Sequence, residues 1–177
     1  FILPGLLNLI CWSYLTIGSG WTVQLLVGVL VVATYFYWRF VYLYLNQSKR
    51  YTAFSLENLS FYVNFILVFL LGAVSLGLRA FLSLSPWWLA LISFLVLALI
   101  IYQTAWVSKL AWRQAWLYWL VGWLILSQLF LVLLLLPLDH NLLGLIWASN
   151  YYLLISLIND KLQQKLVKDK IKLYLIL

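Results

Sequence analysis

What most constrains this chain is a succession of apolar runs, each close to the length of a bilayer span and separated from the next by a few polar residues. A spanning α-helix needs about 20 apolar residues, because at 1.5 Å per residue that length covers about 30 Å of hydrocarbon. The runs fall at about 2–17, 21–44, 59–82, 86–107, 115–136 and 142–158. They predict an all-α fold, a polytopic transmembrane helical bundle of about six spans, with a C-terminal basic amphipathic helix in the remaining tail, 159–177. Water is excluded as the solvent of such a surface. The chain is 67% hydrophobic and 8% charged, whereas a soluble domain carries roughly 25% charged residues. With 177 residues there is no room for a separate soluble domain beside six spans.

Each boundary has a local cause. Gly18-Ser19-Gly20 ends the first run, since two glycines remove the side chains that favour continuing a helix. Asn46-Gln47-Ser48-Lys49-Arg50, followed by Thr52, Ser55 and Glu57, reads as a loop. Pro86 opens the fourth run, where its missing N–H would have had no partner in a first helical turn. Ser108-Lys109 through Arg113 is a short basic connection, and Pro137-Leu138-Asp139-His140-Asn141 is a tight polar turn. The chain contains no methionine and opens inside an apolar stretch without the basic n-region of a signal peptide, so it is expected to be a fragment with a clipped first helix. A five-span arrangement is the alternative.

Charge fixes the expected orientation. Arg39, Lys49, Arg50, Lys109, Arg113 and the five tail lysines fall at one face of this parsing, and Arg79 alone falls at the other. Cytoplasmic loops carry the excess of Lys and Arg, so the C-terminus of a multi-pass protein of the cell membrane is expected in the cytoplasm. The net charge of +7 therefore points to anionic lipid at the inner face of the bilayer and not to nucleic acid. In the tail, Lys161, Lys165, Lys168 and Lys172 recur at i, i+4, i+7 and i+11, one stripe of a helix, with Ile158, Leu162, Leu166 and Leu173 on the neighbouring face. Such a helix rests in the interface with its lysines at headgroups, or else continues the sixth helix into the cytoplasm.

Chemistry-bearing groups are sparse. No ionisable residue falls near the middle of a run, so neither a carboxylate relay nor a Schiff-base lysine is available. Arg39 and Arg79 lie near run ends, where they can snorkel. Asp139 beside His140 is the one place where a carboxylate adjoins a base, but both read as turn residues, with Asp139 or Asn141 as the cap of the sixth helix. No catalytic residue, cofactor or metal site is expected: Cys11 is a lone cysteine, one His with one Asp falls short of a metal's ligand set, and zinc-protease, P-loop and dinucleotide motifs are absent. Neutral polar residues remain. Gln128 and Asn150 lie on consecutive antiparallel runs at similar depth, about 12 Å from the outer end, so they can bond each other or, with Trp147, line a ligand pocket in the outer half of the bundle. Asn8, Ser13, Asn64, Ser75 and Ser93 complete the set. Ala73 with Gly77 and Gly144 with Ala148 are small residues at i, i+4, the spacing that lets helices approach closely. The tryptophans and tyrosines cluster at run ends, as interfacial belts do, with Trp123 and Trp147 deeper.

The stretch from Leu136-Pro137-Leu138 to Tyr151-Tyr152-Leu153-Leu154, with the basic tail after it, resembles uncharacterised multi-helix membrane proteins of small-genome bacteria. That resemblance implies membrane residence and no activity. In size and span count the chain is also similar to the substrate-binding membrane subunits of energy-coupling vitamin transporters, without matching signature residues. The residues thus favour a noncatalytic membrane subunit or scaffold with lipid and other membrane proteins as partners. A small-solute binding or transport component is the alternative, and an enzyme acting through Asp139 and His140 comes third.

Overall fold

The computed structural model describes residues 2–17, 21–46, 55–82, 84–107 and 112–162. Among these residues the secondary structure is helical without strands, in six helices: α1 (Ile2–Ile17), α2 (Trp21–Asn46), α3 (Ser55–Leu82), α4 (Pro86–Val107), α5 (Trp112–Leu133) and α6 (His140–Leu162). Five of them, α2 to α6, are long and apolar enough to cross a membrane, and α1 is a shorter apolar helix. The protein is a multi-pass membrane protein built as an all-α bundle.

Helix ends depart from the apolar runs in informative ways. α2 and α3 extend into the polar segment between them, so that Ser55 to Glu57, read from sequence as loop, belong to the first turn of α3. Hydropathy marks where lipid ends, whereas i to i−4 hydrogen bonding continues for as long as the backbone allows it. α5 is shifted by three residues towards the N-terminus, from 115–136 to 112–133. Pro137 causes the early stop, because its ring disfavours helical conformation in the residue before it. The chain tightens ahead of it, with Leu135 N bonded to Val132 O at 3.0 Å and Leu136 N to Leu133 O at 3.2 Å. α6 continues through Asn159, Asp160 and Lys161 to Leu162, so the first residues of the tail prolong the sixth helix. The rest of the tail lies outside the described residues.

α3 is the centre of the bundle. Every residue from Leu70 to Gly77 is buried, because α1, α2, α4 and α6 all pack against this helix, α6 most extensively. Close approach to α6 depends on small residues: a Cβ on Gly144 would lie 2.8 Å from Ala73 N and 2.9 Å from Phe69 O. A Cβ on Gly72 would stand 3.0 Å from Gly144 Cα and from Trp147 Cε3. Ala73 and Gly144, each a member of a small-residue pair in the sequence, therefore meet each other across the α3–α6 crossing. α5 closes the bundle against α4 and α6, and Gly122 admits Leu154 and Ile158 of α6. α2 is the outlier, since only 6% of its apolar span is buried against 56% for α3.

Candidate functional site

Polar side chains inside the spans gather along one seam. On α3, Asn64 and Ser75 are eleven residues apart; on the antiparallel α4, Ser93 and Thr104 are also eleven apart. Eleven residues make close to three helical turns, so each pair shares a face. The two helices meet in two rungs: Ser75 Oγ and Ser93 Oγ lie 2.8 Å apart, and Asn64 Nδ2 donates to Thr104 Oγ1 at 3.0 Å. α6 joins the second rung, with Tyr151 Oη 3.0 Å from Thr104 Oγ1. The Thr104 hydroxyl donates its one proton to Ile100 O at 2.8 Å, so Asn64 and Tyr151 must both donate to it. Asn64, Thr104 and Tyr151 are 1%, 6% and 0% exposed, which seals the cluster from lipid. Two nearby acceptors on α3 and α4, Asn64 Oδ1 and Gln103 Oε1, have no partner among the described residues.

Replacing Thr104 with valine keeps the shape and removes the acceptor on which both neighbours depend. Thr104→Val is expected to lower stability by about 1–2 kcal/mol, and Ser75→Ala by less, since Ser93 loses one partner. Unfolding in a detergent mixture titrated with SDS, followed by tryptophan emission, measures both.

Two indole N–H groups stitch the second half of the bundle. Trp147 Nε1 donates to Leu126 O at 3.0 Å and Trp123 Nε1 to Phe94 O at 3.1 Å, using the second lone pair of helix carbonyls. Trp147 is fully buried and tilts against Phe130 with 4.7 Å between ring centroids. Between α4 and α5 an open, mainly apolar groove of about 260 Å³ is lined by Ala98, Tyr102, Trp116, Trp119 and Trp123 among others.

The three residues expected to line a ligand pocket differ in burial. Gln128 is exposed on α5 and Asn150 is exposed on α6, while Trp147 is fully buried. Asn150 Nδ2 bonds its own helix at Ile146 O, 2.9 Å away, and not Gln128. Of the lysines expected at headgroups, Lys161 is exposed in the last turn of α6, where a cation also complements the helix dipole. Lys165, Lys168 and Lys172 lie outside the described residues.

At the opposite end of the seam, Asp139 caps α6. Its Oδ2 accepts from Asn141 N at 3.0 Å and Leu142 N at 3.3 Å, which satisfies two of the free N–H groups of the first turn. Its other oxygen lies 3.3 Å from His140 Nδ1, and the imidazole packs edge-on to Phe81 of α3 at 5.6 Å. Tyr14 Oη donates to Asn141 Oδ1 at 2.9 Å and ties α1 to the same turn. Arg79, in the last turn of α3, is half-buried, with Nη1 enclosed and without a partner among the described residues. Carboxylate and imidazole are thus engaged in holding the turn. Among the described residues no three His, Cys, Asp or Glu side chains come together as a metal would require.

Sequence reading singled out Asn64, Ser75 and Ser93 but missed Thr104 and Tyr151. The signal was present in the repeated spacing of eleven on two neighbouring runs. Geometry defines a multi-pass α-helical membrane protein with a sealed polar seam. No family model matches the chain, and neither curated proteins nor solved structures give a match.

Proposed function

We propose that the protein is a noncatalytic subunit or scaffold of the cell membrane, with its C-terminus in the cytoplasm and with other membrane proteins and anionic inner-leaflet lipid as partners. The observation that carries this reading is α2. Its 26 residues pack so little against the rest of the chain that 6% of the apolar span is buried, and Gly28 opens a notch on the outward side, where an added Cβ would meet nothing within 4 Å. Trp21, Gln24, Leu25, Val29 and Val32 surround that notch. Glycine lets a neighbouring helix backbone come close, and an amide such as Gln24 holds helices together in the membrane. Orientation rests on the basic residues: Lys161 sits at the end of α6, and by sequence ten of eleven Lys and Arg fall at the end where α2, α4 and α6 finish.

A small-solute binding or transport component is the second reading, favoured by the buried acceptors Asn64 Oδ1 and Gln103 Oε1, which a polar guest would satisfy. One experiment separates the two. A photoreactive residue at Val29, followed by native mass spectrometry of the gently extracted protein, is expected to give a stoichiometric adduct with another membrane protein. A lone chain that retains a small molecule and yields no protein adduct replaces the subunit reading with the solute reading.

A further inference from the structure

We infer that the outward face of α5 binds the same face of a second copy of this chain, the two Gln128 side chains pairing across the contact. The span on α5 runs from Trp116 to Leu133, and Gln128 sits about 18 Å along the axis from the first and about 8 Å from the second at 1.5 Å per residue. Leu134, Leu135 and Leu136 prolong the apolar segment beyond it. The amide is thus deep in hydrocarbon, is exposed on the surface of the chain, and makes no side-chain hydrogen bond among the described residues. Lipid tails offer no partner, and an unsatisfied amide is unfavourable in an apolar phase.

The same face is otherwise aliphatic and uncharged: Val121, Leu124, Ile125, Leu131 and Val132 are all exposed. Whatever covers it must present a polar group at the depth of Gln128 and apolar surface above and below. A second copy meets this condition automatically. Two copies inserted in the same sense are related by a two-fold axis along the membrane normal, which sets each residue at the depth of its own counterpart. The carboxamide is self-complementary, since its NH₂ donates while its carbonyl accepts, so Gln128 satisfies Gln128 of the other copy in both directions. A single buried amide also fixes register and stoichiometry, as it does in coiled coils. α2 lies elsewhere on the bundle, so this contact and the subunit reading are tested separately.

In a Cys11→Ala background, single cysteines at Leu124 and Leu131, one turn to either side of Gln128, are expected to form disulfide dimers in native membranes. A cysteine at Leu95, exposed on α4, is expected to form none. In detergent, Gln128→Leu is expected to raise the dimer dissociation constant about tenfold, equivalent to about 1.4 kcal/mol, while Gln128→Asn keeps most of the association. Because Gln128 is exposed, the variant's helix content and tryptophan emission should match the parent's. The inference is overturned if cysteines at 124 and 131 do not cross-link, if they link only to a different protein, or if Gln128→Leu leaves dimerisation unchanged.

Discussion

Trp147→Ala is expected to destabilise the bundle by about 3–5 kcal/mol, the range for deleting a large buried aromatic. The indole is fully enclosed and rests on Phe130, and Gly72 of α3 lies against its six-membered ring. Alanine would leave a void bounded by α3, α5 and α6 that neither water nor a lipid chain can readily fill, and would also release Leu126 O. Trp147→Phe keeps most of the ring volume and loses the N–H, so its effect should be about 1 kcal/mol. SDS titration of detergent-solubilised protein, followed by far-UV circular dichroism, gives both values. Near-equal losses for the two variants would show that the packing of the ring contributes little.

The second large effect is expected at Gly144. A methyl group there meets backbone atoms, Ala73 N at 2.8 Å and Phe69 O at 2.9 Å, and backbone cannot swing aside as a side chain can. Gly144→Ala therefore forces α6 away from α3 along the largest interface of the bundle, with an expected loss of about 1–3 kcal/mol, and more for valine. Gly5 is the control, because its added Cβ would meet nothing within 4 Å. Gly5→Ala should raise stability by about 0.5–1 kcal/mol through helix propensity alone. Opposite signs from one chemical change would identify contact, rather than backbone entropy, as the cause at Gly144.

The sequence announced the helices because lipid imposes their length, and Pro86 and the 18–20 segment placed two boundaries directly. Where α2, α3 and α6 run past the apolar residues, hydropathy carried no information, because a helix leaving the bilayer loses nothing by continuing into water. Asp139 was legible as a cap, since its short carboxylate reaches back to the first turn whatever surrounds it. Gln128 and Asn150 were harder. Depth along a helix can be counted from sequence, but rotation about its axis cannot where every side is apolar. α6 shows the difficulty: Asn150 lies between the exposed Ser149 and the buried Tyr151, with apolar residues all around. Thr104 and Tyr151 escaped for the same reason, and only the matching intervals on α3 and α4 distinguish their seam from scattered polar residues.

That seam also bears on how the protein is assembled. Sliding α3 by one residue along α4 would shift the rungs by about 1.5 Å and rotate them by about 100°, so Ser75–Ser93 and Asn64–Thr104 would break together and no neighbouring alignment restores either. The hairpin of α3 and α4 thus carries its own vernier, set by side chains made before α5 and α6 and complete without either. Tyr151 belongs to α6, which emerges after that hairpin, and its hydroxyl reaches Thr104 only once α6 has docked through Gly144. A chain threaded into the bilayer in order would therefore align α3 with α4 before α6 fastens them.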